Sequence, residues 1–174
     1  MDNAELSEQL RAFQQGHMDA LANIYQDLRV PLYTVLFRIT HNASLSEDLL
    51  QELFVKLYRL PLSSSLRNPR AYLFSMARHL ALDALRRPSS VSWEEHACGG
   101  SYDHMGLVPF QMDLEKAMEQ LDAQACQMVT LHLNADLTFR QIAHIMELPL
   151  GTVLWKYRKA IDQLRTLLSG GMKE

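Results

Sequence analysis

Glycine, proline and cysteine are all scarce in this chain of 174 residues, which holds 7, 6 and 2 of them. So little glycine and proline leaves few sites for the tight turns of a β-rich fold and suits an all-α chain. Two cysteines, Cys98 and Cys126, are too few for a disulfide framework, so both thiols are expected to be reduced. No apolar stretch approaches the ~20 residues that span a bilayer. Asp2, Glu5, Glu8 and Arg11 interrupt the opening segment where a secretory signal would need an apolar run. A cytoplasmic location with no direct membrane insertion is the expectation. Positive charge is short as well: 17 Lys and Arg stand against 20 Asp and Glu, a net charge of −3. That balance argues against a nonspecific nucleic-acid binder.

What is present is a hydrophobic content of 48%, enough to build a core, and an uneven charge map. Residues 1–60 carry 5 basic and 8 acidic groups, and residues 66–87 carry 5 and 1. Residues 88–137 carry 1 and 8, and residues 138–168 carry 5 and 2. Two basic islands in an acidic chain are the footprint of local nucleic-acid contact.

Apolar residues recur at three and four positions through most of the chain, the period of a helix with one buried face. Residues 4–15 form a short first helix. Met18 to Ile39 follows, with Pro31 inside the run, where a kink or break is expected. Ser44 with Glu47 has the capping-box pattern at the head of the next helix. There Leu49, Leu50, Leu53, Phe54 and Leu57 make the apolar stripe, and Asp48, Gln51, Glu52, Lys56 and Arg59 the other face. That polar face is either an ordinary solvated surface or a docking surface for a basic partner. After Pro61 and a Ser-rich loop, Asn68 is a good N-cap and Pro69 suits the first helical position. The helix runs to about Arg87. Leu73, Met76, Ala77, Leu80 and Ala84 face inward; Ser75, Arg78, His79, Leu82 and Arg86 face outward, with Tyr72 at the margin.

Residues 88–112 have no helical period and read as a linker rich in serine, glycine and acid. His96, Cys98 and His104 offer ligand atoms there, but the spacing matches no common zinc pattern and a fourth ligand is not evident. Neither a metal nor a cofactor is expected. The second domain, residues 113–174, begins near Asp113 with two helices. Thr138 with Gln141 is a second capping-box pattern, opening Phe139 to Met146. A tight turn at 147–150 leads into a final helix to about Leu168, making a helix-turn-helix. In that motif the second helix enters the major groove with its first turns leading. Thr152, Leu154, Trp155, Lys156, Arg158 and Lys159 are then the readers and phosphate contacts.

Three segments in this order resemble the sigma-70 family of bacterial RNA polymerase sigma factors, in the extracytoplasmic-function (ECF) group. Residues 46–54 (SEDLLQELF) resemble the family's polymerase-binding helix. Residues 68–74 (NPRAYLF) and 77–83 (ARHLALD) resemble its helix for the −10 promoter element. Residues 137–143 (LTFRQIA) and 148–153 (LPLGTV) resemble its −35-reading module. The resemblance implies two small helical domains joined by a linker. It implies that Asp48, Gln51, Glu52, Phe54 and Lys56 bind core RNA polymerase. It gives the −10 strand to Ser63, Ser64, Ser65, Arg67, Asn68, Arg70, Tyr72, Ser75, Arg78, His79 and Arg86, the serines helping to pocket an unstacked base. It gives the −35 duplex to Thr138, Arg140, Thr152, Leu154, Trp155, Lys156, Arg158 and Lys159. Promoter DNA and an anti-sigma factor are the further partners it implies, and no catalytic residue is expected, since the polymerase supplies the chemistry. His79 stands where relatives usually have Asn, and Leu154 and Trp155 where they carry a basic and a small polar residue. Lys156 replaces a usual Arg and loses bidentate recognition of guanine.

Three other readings compete. A stand-alone helix-turn-helix regulator explains residues 138–168 but leaves residues 44–87 unexplained, and it predicts dimers on palindromic sites. A metal enzyme would use His96, Cys98 and His104. A sigma-like protein without promoter-opening activity is suggested by Leu154 and Trp155.

Overall fold

The computed structural model describes residues 1–59, 66–86 and 109–170. The chain divides after Arg87 into two compact units. Among the described residues there are eight α-helices and no strand, so the fold is all-α.

The first unit holds α1 (Asn3–Gln14), α2 (Met18–Thr40), α3 (Ala43–Arg59) and α4 (Pro69–Arg86). Helix α1 opens on a capping box. The Asp2 carboxylate accepts from the Ala4 and Glu5 amides, and the Glu5 carboxylate accepts from the Asp2 amide. Those amide bonds hold the Asp2 carboxyl below its ordinary value. Helix α2 lies against α1, α3 and α4, and α4 also packs on α1 and α3. Its Ile24, Leu28, Leu32 and Leu36 are fully buried, as are Leu53 and Leu57 of α3 and Leu73 and Phe74 of α4. Each leucine or phenylalanine of this kind contributes about 1.5–3 kcal/mol relative to exposure.

Two expectations fail here for the same reason. Helix α2 passes through Pro31 as one element of 23 residues. Leu28 and Leu32, on either side of the proline, are both buried, so packing on three neighbouring helices outweighs the lost backbone hydrogen bond. Helix α3 does not begin on a Ser44–Glu47 box. Its cap is Asn42, whose Oδ1 accepts from the Leu45 amide at 2.9 Å. His41, left-handed at φ 52°, has just closed α2. The joint is locked below by Ser46, wholly buried, whose hydroxyl donates to the Asn42 carbonyl at 2.7 Å and lies 2.8 Å from the Thr40 hydroxyl. A start at Ala43 lets Ser46 close this buried network.

The second unit holds α5 (Pro109–Glu119), α6 (Ala123–Leu133), α7 (Phe139–Met146) and α8 (Leu150–Gly170). The segment expected as linker to residue 112 is therefore already helical from Pro109. Ala117, Met118 and Leu121 pack with Ala125, Cys126 and Val129 of α6 and with Ala160 and Leu164 of α8. Cys126 is in no disulfide, and its buried side chain belongs to this core.

Helices α7 and α8 take the expected helix-turn-helix arrangement. The capping box between Thr138 and Gln141 forms in full. Glu147, left-handed at φ 55°, ends α7, and the Leu148 amide donates back to the Ala143 carbonyl at 3.0 Å. Ile142, Ile145 and Val153 fill the angle between the two helices. A three-ring cluster ties the motif to α6. The His132 and Phe139 rings stack at 4.4 Å between centroids, and Tyr157 meets both edge-on at 5.0 and 4.8 Å. His132 Nδ1 lies 2.9 Å from the Leu137 carbonyl, which fixes the ring plane. Burial in this cluster raises the Tyr157 phenol above its ordinary value.

Candidate functional site

Helix α3 buries Leu49, Leu50, Leu53, Phe54 and Leu57, and that stripe sets which residues are left outside. Glu47, Asp48 and Gln51 are exposed. Glu52 is half-buried and holds Lys56 in an i, i+4 ion pair at 2.8 Å. Phe54 does not share this face. It is buried, with its ring edge-on to Tyr25 at 4.9 Å, and so acts by fixing α3 against α2. Val55, unremarked in the sequence, sits instead among Gln51, Asp48 and Arg59 by helical phase and is 47% exposed. Tyr58 is exposed beside it and meets Phe13 of α1 at 5.8 Å. The face is thus acidic with an apolar middle, the composition of a protein-docking patch with a polar rim. The only available signal for Val55 was its phase, one turn beyond Gln51.

Ser63, Ser64 and Ser65 lie outside the described residues. Arg67 is exposed just before α4. Asn68 caps that helix as expected, its Oδ1 accepting from the Ala71 amide at 3.2 Å. Tyr72, Ser75, His79 and Arg86 share one side of α4; the first two are half-buried and the last two exposed. Arg86 Nη1 stands 3.8 Å from Asp83, one turn back. Arg78 is half-buried at the margin of this side.

Arg70 is the clear departure. Nine residues before His79, it falls half a turn out of phase, on the opposite side of the helix. It is buried, its Nη1 donates to the Met1 carbonyl at 2.8 Å, and its guanidinium lies over Phe74 at 5.8 Å. The Asn3 side chain accepts from the Arg70 amide at 3.2 Å. Arg70 therefore joins α1 to the head of α4, on the side away from the outward residues His79 and Arg86. The inward set also shifts: Phe74 and Ala81 are buried, whereas Met76 and Ala84, expected inside, are only half-buried.

In the second unit Thr138 is exposed with its hydroxyl engaged in the cap, and Arg140 is exposed at the second position of α7. On α8, Gly151, Trp155, Arg158 and Lys159 stand out into solvent, with Thr152 half-buried beside them. Lys159 Nζ lies 5.4 Å from the centre of the Trp155 ring, a cation–π contact. Leu154 is turned to the flank and half-buried. Lys156 is also half-buried, and its ammonium donates to the Gln124 side chain of α6 at 2.9 Å. From Leu148 to Ile161 the chain has no acidic residue. The leading turns of α8 thus present cations and one large aromatic, suited to a duplex whose phosphates need neutralising.

Among the described residues no group of three or more His, Cys, Asp or Glu side chains is placed to hold a metal ion. His96, Cys98 and His104 lie outside those residues. No helix among them is long and apolar enough to cross a membrane.

Residues 24–90 match the family described as Sigma-70 region 2. Over 175 residues the chain is 23% identical to the ECF RNA polymerase sigma factor SigK of Mycobacterium ulcerans, with 94% of each protein covered. It is 24% identical over 157 residues to the ECF RNA polymerase sigma factor SigM of Bacillus subtilis, covering 87% of this chain and 96% of that one. Among solved structures it is similar to the sigma factor RpoE of Bartonella quintana, crystallised with the anti-sigma factor NepR. The TM-score is 0.59 at 21% identity, over 84% of this chain and 97% of that one.

Proposed function

We propose, for a chain that belongs to the ECF group of the sigma-70 family, that it is a promoter-specificity subunit of RNA polymerase. It binds the core enzyme, recognises −10 and −35 elements, and starts transcription of a particular gene set. The observation that carries this reading is the segregation of charge over two compact units. An acidic face with an apolar middle lies on α3, and an acid-free, cation-bearing face leads α8. A single-purpose DNA binder has no use for the first, and a protein-docking module has none for the second.

The roles divide by unit. Asp48, Gln51 and Glu52, with Val55 between them and Lys56 paired to Glu52, dock on a basic helical surface of the polymerase, steered by complementary charge. Arg67, Tyr72, Ser75, Arg78, His79 and Arg86 engage the opened −10 strand, the aromatic and the cations serving base and phosphate respectively. Thr152, Trp155, Arg158 and Lys159 meet the −35 duplex, and Arg140 the adjoining phosphates. The polymerase supplies the chemistry, and this chain is not itself an enzyme. The RpoE relative is held by an anti-sigma factor, and a partner of that kind covers the α3 and α8 faces here too.

Runoff transcription with core RNA polymerase, a genomic promoter library and the full chain tests the reading. New discrete start sites sharing two upstream elements are expected. The double change Asp48→Lys with Glu52→Lys weakens core binding and initiation together. No new starts while core binding is intact would indicate a sigma-like protein without promoter-opening activity. No binding to core would indicate a stand-alone DNA-binding regulator.

A further inference from the structure

Among the described residues Trp155 is the most exposed large apolar side chain, at 61%. An indole left in water on a compact unit is unusual, since its ring is among the largest apolar surfaces a side chain can bury. Its surroundings identify the partner. One turn earlier on the same side is Gly151, where even an added Cβ would meet nothing within 4 Å. One turn later is Lys159, with its ammonium over the ring, and Arg158 stands alongside. No acid occurs from Leu148 to Ile161. The indole is therefore held by a cation on one side, open on the other, and set in a field that attracts a polyanion. Lys156, the neighbour that might have read a base, is drawn off toward Gln124.

In the major groove of duplex DNA the apolar feature at a base edge is the C5-methyl of thymine, with the O4 acceptor beside it. Indole chemistry matches that pair: an apolar ring to cover the methyl, an Nε1–H to donate to O4, and no acceptor of its own. Cytosine presents an amino donor at the same place, which indole would leave unpaired, and guanine presents acceptors without a methyl. We propose that Trp155 is the specificity residue of α8 and reads a thymine of the upstream promoter element through its methyl group. The proposal rests on the promoter-binding reading above and adds the base and the group recognised.

The test uses the full chain with core polymerase on a promoter recovered from the runoff assay. Each thymine of the upstream element is replaced in turn by deoxyuridine, which deletes the methyl and leaves pairing and O4 in place. At one position the substitution is expected to lower initiation about fourfold, the effect of one buried methyl group. Trp155→Ala lowers initiation on the thymine promoter and abolishes the difference between thymine and uracil at that position. Trp155→Phe retains the methyl effect. Uracil tolerated at every position, an element without thymine, or a uracil effect undiminished in Trp155→Ala would each overturn the proposal. So would a Trp155→Ala chain that loses affinity for core polymerase but not for the promoter, which would make the indole a protein contact. Absence of any start site with wild-type chain would instead overturn the sigma-factor reading, so the two failures are distinguishable.

Discussion

Helices α4 and α8 are both basic in sequence, yet they place their cations differently. In α4 the first arginine of the helix, Arg70, is turned inward onto the Met1 carbonyl and the Phe74 ring. In α8 Arg158 and Lys159 both stand in solvent, and Lys159 lies over an exposed indole. The difference follows from what surrounds each helix. Helix α4 is packed by α1, α2 and α3, and Arg70 lies on the packed side, opposite the exposed His79 and Arg86. Helix α8 lies across α5, α6 and α7 on one side and leaves the rest of its leading turns open. A count of positive residues thus overstates the solvent-facing charge of α4, while in α8 Arg158 and Lys159 are both exposed on the leading turns.

Breaking the core under α4 should have the largest effect. Phe74→Ala removes a fully buried ring, and a loss of about 3–5 kcal/mol is expected in urea unfolding of the full chain. Next is Arg70→Met, which keeps the stem and deletes the guanidinium. It leaves the Met1 carbonyl without its donor, and a loss of about 1–3 kcal/mol is expected by the same measurement. If Arg70 contacted DNA instead, stability would hold and only promoter affinity would fall.

Arg158→Ala and Lys159→Ala sharpen the contrast from the other side. Each should leave the unfolding curve unchanged and reduce the slope of log affinity against log salt by about 1 on promoter DNA. A stability loss without a change of slope would mean that these cations are structural, like Arg70.

A smaller effect lies in the turn of the helix-turn-helix. Glu147 adopts φ 55°, where a side chain is strained, so Glu147→Gly should stabilise the second unit by up to about 1 kcal/mol. The smallest concerns alkaline pH. Burial raises the phenols of Tyr33 in the first unit and Tyr157 in the second above 10.0, and the nearby Glu47 adds to the rise at Tyr33. The unfolded chain then ionises first, so both units keep their full stability below pH 10 and lose it as pH rises beyond that value. Tyr157→Phe should flatten the alkaline limb for the second unit while leaving that of the first.

The two capping-box patterns show how far local sequence reached. Thr138 with Gln141 and Ser44 with Glu47 look alike as strings, and only the first forms. Asp136 stands two residues before Thr138, but it is left-handed at φ 51° and not in the extended conformation of a cap, which Thr138 adopts. Ser44 has Asn42 two residues earlier, and the buried pair of Thr40 and Ser46 selects the earlier start.

By itself the sequence determined the all-α class, most helix spans, the caps at Asn68 and Thr138, the helix-turn-helix and the two basic islands. Each rests on relations within about one helical turn, which the order of residues fixes directly. Only the tertiary structure decided that α2 runs through Pro31, that Phe54 and Arg70 turn inward, that Val55 lies within the acidic face, and that Trp155 rather than Leu154 leads α8. Those outcomes depend on which side of each helix its neighbours cover, and that is settled by contacts between residues far apart in the chain, such as Arg70 with Asn3 and Lys156 with Gln124.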